Sequence, residues 1–315
     1  MRSARHRKKK RKWLRITGFL LLFLVAGVSA YAYSIYSSLT NAVDTMHEPM
    51  QIRKVSEKRL EKVTLKKRDP FSVLVLGVDE RKGDIGRSDT MIVLTVNPSK
   101  NSIKMLSIPR DTRAEIIGHG TSDKMNHAYA FGGEKMSIDT VENFLDIPID
   151  YFVKVNMMGF KEIVNAVGGI TINNPFAFSE DGFHFRKGLI TLNGDEALAF
   201  SRMRKQDPAG DYGRQQRQRQ VIQGVIDKGS SFSSLTRFGD IFASLGKNIK
   251  TNLTFDEMVD IHLNYRSASE NIEQIQLEGK SERIDSILYQ VVSTEEQQRI
   301  QNELKTHLGL TNKTL

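Results

Sequence analysis

From Ile16 to Tyr36 the chain runs 21 residues without a charged side chain, passing through Phe19-Leu-Leu-Leu-Phe-Leu-Val25. At about 1.5 Å of rise per residue, a helix of that length reaches the ~30 Å of a bilayer's hydrocarbon core. Backbone in lipid must satisfy its own hydrogen bonds, so residues 16–36 are expected to form one transmembrane helix. Nine of the first fifteen residues are Arg or Lys and none is acidic. Positive charge stays on the cytoplasmic side, which predicts a cytoplasmic basic tail over 1–15, a single pass through the cell membrane, and everything after Tyr36 outside. Tyr31, Tyr33 and Tyr36 then fall at the outer interface. Ala30-Tyr31-Ala32 has the form of a leader cleavage site, but the apolar run continues past it and exceeds the ~7–15 residues of a cleaved leader's core, which favours an anchor.

The charge balance narrows the partners. The chain holds 46 Lys and Arg against 37 Asp and Glu, and the tail accounts for the whole excess, leaving 37 of each sign in the other 300 residues. A basic chain usually suggests nucleic acid, but here the folded part is neutral on balance and no nucleic-acid partner is expected. The absence of cysteine agrees with a domain outside the cell.

Residues 37–70 are polar and mixed in charge, and read as an extracellular stalk. The 245 residues of 71–315 suffice for one large domain. It opens on Phe71-Ser-Val-Leu-Val-Leu-Gly-Val78, an apolar run typical of a strand buried on both faces. Met91 to Val96 and Ile103 to Ile108 follow as strands, joined by the turn composition Asn97-Pro-Ser-Lys-Asn101, which predicts a hairpin. Helical spacing covers Lys135 to Leu145, Gly159 to Val167, Asp195 to Phe200, Arg214 to Ile226, Leu235 to Leu245 and Phe255 to Tyr265. Further strands are expected over Tyr151 to Val155, Ile170 to Ile172, Asn271 to Leu277 and Ile287 to Val292. The sum is an α/β domain with a mixed central sheet covered by helices on both faces, preceded by the transmembrane helix.

Chemistry concentrates in three places. Between Ser201 and Arg217, four arginines (Arg202, Arg204, Arg214 and Arg217) surround Asp207 and Asp211, with Pro208 and Gly210 marking a turn. Arginine's planar fork grips phosphate oxygens in pairs, and a carboxylate beside it can hold the divalent ion that phosphates bring. If 202–204 is extended, Arg202 and Arg204 share a face; Arg214 and Arg217, three apart on a helix, share another. Gly86-Arg87-Ser88-Asp89-Thr90 and Ile108-Pro109-Arg110-Asp111-Thr112 are the other two. Together with Asp79 they lie at the ends of three strands, where sites gather in α/β sheets. Arg110 and Asp111, if extended, point to opposite faces. Lys124, Asn126 and His127 carry a weaker signal, since a single His is more often structural than a ligand and no zinc spacing accompanies it. No nucleophile elbow, Walker loop or dinucleotide fingerprint is present. Phe176, Phe178, Phe183 and Phe185 alternate around Gly182 as a hairpin, read here as core.

Leu76-Gly-Val-Asp79, Gly86-Arg-Ser-Asp-Thr90, Ser107-Ile-Pro-Arg-Asp-Thr112, Asn126-His-Ala-Tyr129 and the Ser201–Arg217 pattern, in that order, resemble the LytR-CpsA-Psr proteins. The resemblance is strong from Phe71 to about Ile226, and no motif marks the last ninety residues. It implies a membrane-anchored phosphotransferase of Gram-positive envelopes, moving a glycopolymer from an undecaprenyl pyrophosphate carrier to peptidoglycan, with wall teichoic acid the first choice of polymer. It implies a magnesium ion, or manganese, held by Asp79 and Asp89. Arg87, Arg110, Arg202, Arg204, Arg214 and Arg217 then take the pyrophosphate, and Asp211 stands behind them or acts as a base. The catalytic set is Asp79, Asp89, Arg110 and Asp211, and the family has an apolar tunnel for the prenyl chain. Phosphoryl transfer asks the protein mainly for positioning and positive charge, which this composition supplies. The alternatives are a hydrolase acting on the same phosphorus and a non-catalytic polyanion receptor; a regulator is disfavoured by the lack of a helix-turn-helix signal.

Overall fold

Two apolar faces decide how the chain layers. β1 (Phe71–Val78) sends Leu74, Leu76 and Val78 to one side and Phe71, Val73 and Val75 to the other, and all but Val75 are buried. Such a strand must lie inside a sheet that is covered twice. The computed structural model describes residues 56–59, 61–80, 86–230 and 248–310, with isolated positions 33, 36, 37, 40, 46 and 47. After β1 come β2 (Ser88–Asn97), β3 (Ser102–Ile108), β4 (Arg113–Ile116), β5 (Thr121–Lys124), α1 (His127–Leu145), β6 (Tyr151–Asn156), α2 (Met157–Ala166), β7 (Ile170–Asn174), β8 (Phe178–Glu180) and β9 (Phe183–Phe185). Then follow β10 (Gly188–Leu192), α3 (Gly194–Arg202), α4 (Asp211–Ser230), β11 (Ile249–Thr251), α5 (Phe255–Asn264), β12 (Ile272–Gln276), β13 (Lys280–Ile284), β14 (Ile287–Val291) and α6 (Thr294–Leu308).

The main sheet has the order β11-β6-β1-β2-β3-β12. β1 and β6 are parallel, as are β3 and β12, while β2 runs against both its neighbours, so the sheet is mixed as expected. One face packs Leu74, Leu76, Met91, Val93 and Leu106 against α1 and α6. The other packs Val73, Val75, Leu94 and Val96 against Ile226 of α4 and Met258 and Ile261 of α5. A second core joins α2, α3, α4 and the β7–β10 ribbons, with Phe178 and Phe185 buried in it, so the phenylalanine hairpin is core. This direction of strands places the ends of β1 and β3 and the start of β2 on one edge of the sheet.

The structure departs from expectation in several elements. The stalk does not stand apart from the domain along its described length, because Val63 and Leu65 pack with Phe71 and Val73, and Arg59 pairs with Asp150 at 2.6 Å. α1 begins at His127, eight residues before Lys135, and passes through a kink at Gly132 and Gly133, the latter at φ +63°. The hairpin partners β5 and β13 escape the sequence pattern because both are polar on both sides and owe their extension to pairing alone. The basic tail, nearly all of the 16–36 span and the helix expected over 235–245 lie outside the described residues. Among the described residues no helix is long and apolar enough to cross a membrane.

Candidate functional site

The site starts with a defect in the β1–β2 ladder. Gly77 pairs with Thr90 but Val78 pairs with Ser88, so Asp89 is the extra residue of a bulge. A bulge turns a strand residue away from its regular direction, and here it brings Asp89 to the same cavity walls as Asp79, which follows β1. Asp79 is set by its backbone N–H bond to the Arg87 carbonyl at 3.3 Å. Gly86, at φ +73°, closes this turn, and a Cβ there would come 2.3 Å from the Asp79 carbonyl oxygen. The next residue, Glu80, accepts from the Tyr129 hydroxyl at 2.5 Å and pairs with Lys154 at 2.9 Å. Burial opposes the Glu80 charge, but these two partners outweigh it and hold its carboxyl below the usual range.

The arginines then divide. Arg110 Nη1 meets Asp89 Oδ1 at 3.0 Å. Burial works against the Arg110 charge, and Asp89, Asp111 and Asp211 more than offset it, so its pKa is raised. Arg214 is pushed down, first by burial and then by repulsion from Arg110 and Arg204, against the pull of Asp211 and Asp89. These couplings place Arg110, Arg204, Arg214, Asp89 and Asp211 in one electrostatic cluster. Arg214 Nη2 lies 2.6 Å from Asp211 Oδ1 and Arg204 Nε 3.6 Å from the same atom. Gln215 donates to Asp211 Oδ2 at 3.0 Å. Asp211 thus orients two arginines, and both its oxygens are engaged, which does not suit the base role expected of it. Arg202 lines the apolar cavity and reaches Asp181 at 3.4 Å; Arg204 is exposed and lines neither cavity.

Arg217 is not with the others. Its side chain is 4% exposed, paired with Asp207, bonded to the Met203 carbonyl and set over the Phe178 ring. Three residues along α4 turn the helix by only about 60° net, and what parts the two side chains is their partners: Arg214 lines the apolar cavity, whereas Asp207 and the Met203 carbonyl draw Arg217 into the core. Nor do Arg202 and Arg204 form an extended pair, since Arg202 ends α3. Arg110 and Asp111, expected on opposite faces, line the same cavity because Pro109 to Thr112 is a turn closed by the Thr112 N–H to the Pro109 carbonyl at 2.9 Å.

Two cavities meet at the carboxylates. A polar one of about 660 Å³ is lined by Asp79, Arg87, Asp89, Arg110, Asp111, Lys124, Asn126 and His127. An apolar one of about 360 Å³ lies between the sheet and α2, α3 and α4, lined by residues such as Val75, Val153, Phe160, Ile222 and Val225, with Arg202 and Arg214. Asp79 and Asp89 line both. Among the described residues no group of three or more His, Asp or Glu could by itself cage a metal. Magnesium usually keeps waters and binds through one or two carboxylates plus phosphate oxygens, so the Asp79–Asp89 pair fits it as donors only in company with a phosphate ligand.

The model of the LytR_cpsA_psr family matches residues 33–306. The chain belongs to the LytR-CpsA-Psr family. It is 53% identical over 308 residues to the polyisoprenyl-teichoic acid–peptidoglycan teichoic acid transferase TagU of Bacillus subtilis (strain 168), covering 98% of this chain and 99% of that protein. The solved structure of TagT bound to LIIa-WTA is similar with a TM-score of 0.73 and 34% identity, over 84% of this chain and 100% of that one. TagT (YwtF) with bound octaprenyl pyrophosphate lipid gives a TM-score of 0.68 at 32% identity, over 84% and 100%. Sequence reasoning singled out most of the polar residues that line the cavities, and it did not foresee the Glu80–Lys154 pair beside them, which forms only once β6 is placed beside β1. It also gave no weight to Ile287, which β14 brings to the polar cavity from 200 residues downstream.

Proposed function

We propose that this chain is a membrane-anchored transferase that moves an anionic glycopolymer, wall teichoic acid first among the candidates, from a polyprenyl pyrophosphate carrier to peptidoglycan. One observation carries the reading: an apolar cavity opens onto a cluster of arginines and carboxylates. A prenyl chain fits the first, and the pyrophosphate it bears fits the second. Arg87, Arg110, Arg202 and Arg214 would grip the phosphate oxygens, with Asp211 holding Arg214 and the exposed Arg204 beside it. Asp79 and Asp89 would hold magnesium or manganese, which when bound offsets phosphate charge. The 16–36 span would anchor the chain with residues 1–15 inside and the domain outside, where peptidoglycan is. The TagU relative and the two TagT complexes support the substrate class by name. Full-length protein in vesicles, given a radiolabelled lipid-pyrophosphate oligosaccharide and peptidoglycan, should render label wall-bound and release polyprenyl phosphate. Release into water alone would make it a hydrolase; binding without release, a receptor.

A further inference from the structure

The reaction needs a group to take the acceptor's proton, and the carboxylates near the phosphate site are committed elsewhere. Asp211 is held by Arg204, Arg214 and Gln215, and Asp89 by Arg110. On the polar cavity's wall stands His127, whose Nδ1 lies 2.7 Å from Asp123 Oδ2. Asp123 is itself fixed, for its Oδ1 accepts from the Tyr289 hydroxyl at 3.3 Å and from the Lys124 N–H at 2.7 Å. Burial opposes the Asp123 charge, and the bonds from His127 and Lys124 outweigh it, so the carboxyl is held below its usual range. An ionised carboxylate only accepts, so Nδ1 is the donor in this contact, and Nε2 is the nitrogen left to take a proton when the ring is neutral. The chain leaving β5 runs beside the Arg110 turn: Met125 N–H donates to the Thr112 carbonyl at 2.8 Å and Asn126 N–H to the Arg110 carbonyl at 3.2 Å. His127 is the next residue.

We propose that His127, oriented by Asp123, is the general base for the acceptor hydroxyl, an inference that rests on the transfer reading above. Displacement at phosphorus brings the nucleophile in opposite the leaving group. With the prenyl phosphate on the side of the apolar cavity, the acceptor enters through the polar one, which shares only Asp79 and Asp89 with it. The acceptor oxygen bonds to the polymer-bearing phosphorus as its proton passes to Nε2. The bridging P–O bond breaks, its electron pair leaves on polyprenyl monophosphate, and His127 later returns its proton to solvent. Asp123 is a positioning residue in this scheme. The other groups around the dyad are Lys124 with its partner Asp111, Tyr289 with Arg113 over its ring, and Phe131 with His119 stacked on it.

The bland alternative is a tie between β5 and α1, and two asparagine substitutions separate the readings. His127→Asn keeps an amide N–H for Asp123 but has no basic nitrogen. The assay uses full-length protein in vesicles with the labelled carrier and peptidoglycan, and follows polyprenyl phosphate release and wall-bound label from about pH 5 to 9. Octaprenyl pyrophosphate affinity and melting temperature are measured alongside. A lost general base lowers the rate by about 10²–10⁴, so His127→Asn should fall in that range with affinity and melting temperature kept, and should lose the decline in rate toward acid pH. Asp123→Asn should slow turnover less, with affinity and melting temperature kept, since the amide oxygen still accepts from Nδ1 and orients the ring. If His127→Asn does not fold, His127→Gln takes its place. Rates within about threefold of wild type, or an unchanged acid decline in the folded variant, overturn the proposal. Wild-type release without wall-bound label defeats the transfer reading while the same variants still judge the base. A wild type that releases no carrier defeats both.

Discussion

Arg214 and Arg217 are one helical turn apart on α4, and their surroundings give them opposite work. Arg214 lines the apolar cavity, where burial first and then repulsion from Arg110 and Arg204 work against its charge, and a bound anion would relieve both. Arg217 is buried against Asp207, which also lies beside Gly213; a Cβ there would come 2.0 Å from Asp207 Oδ2. Breaking a buried pair leaves a charge without its partner and costs about 3–5 kcal/mol, whereas an exposed pair is worth about 0–1 kcal/mol. Arg217→Ala should therefore lower stability by roughly 3–5 kcal/mol. Arg110→Lys and Arg214→Lys should fold normally and lose about 10²–10³ in rate, because lysine keeps the charge and loses the fork. Urea midpoints and transfer rates measured on all three would expose the reverse pattern, which would return Arg217 to the site. Asp89→Ala should abolish turnover and weaken magnesium affinity, since one carboxylate of a pair remains. Calorimetry showing unchanged magnesium affinity in the presence of octaprenyl pyrophosphate would remove Asp89 from the metal.

Elements, more than residues, separate what this sequence discloses from what it conceals. The helix α4 forms the roof of the apolar cavity through Val221, Ile222 and Val225, and their spacing was readable as an apolar helix face. That this face covers a cavity instead of filling it was not readable, because packing against the sheet and a gap above the sheet demand the same residue types. Filling the gap tests its use. Val225→Trp should weaken binding of octaprenyl pyrophosphate by tenfold or more, as each buried CH₂ of the displaced chain is worth about 0.8 kcal/mol, while inorganic pyrophosphate affinity stays near wild type. Equal affinities for both ligands in this variant would mean that the prenyl chain lies elsewhere. The strands β1, β2 and β3 and their hairpin were legible since each is a continuous apolar run. The bulge that aims Asp89 was not, because one extra residue leaves the run unbroken; Gly77, whose Cβ would come 2.9 Å from Thr90 Cβ, is its only trace in the sequence. The composition of the arginine cluster was likewise legible, but which of Arg214 and Arg217, three residues apart on α4, turns inward cannot be read before Asp207 is placed.

At the scale of the whole chain, charge is partitioned: the excess of nine lies in the first fifteen residues and the remainder is balanced. Reporter fusions at Arg7 and Leu315 should accordingly read inside and outside, and both on one side would refute the anchor's orientation. The last helix, α6, shows how the balanced part is held. It lays Ile300, Leu304 and Leu308 on the core and buries His307 between Thr95 and Ser102, with Nδ1 2.8 Å and Nε2 2.9 Å from their hydroxyls. Burial, then the charges of Lys100 and Lys104, push His307 down from 6.5 to about 4, with Glu273 opposing. The folded form thus keeps the ring neutral where the unfolded chain would protonate it. The stability from this site is complete above about pH 6.5 and is lost as the pH falls toward 4, below which both forms carry the proton and no more is lost. The loss is on the order of 2 kcal/mol once the solvent screening of the two lysines is allowed for. Because Trp13, in the tail, is the only tryptophan, circular dichroism is the suitable probe of unfolding. Urea midpoints should fall between pH 7 and 4.5 in the wild type, and His307→Gln, less stable at pH 7, should fall less across the same interval. An identical fall in the variant would assign the acid sensitivity to other groups, the carboxylates of Asp123 and Asp146 first among them, since both are held below their usual range by their partners.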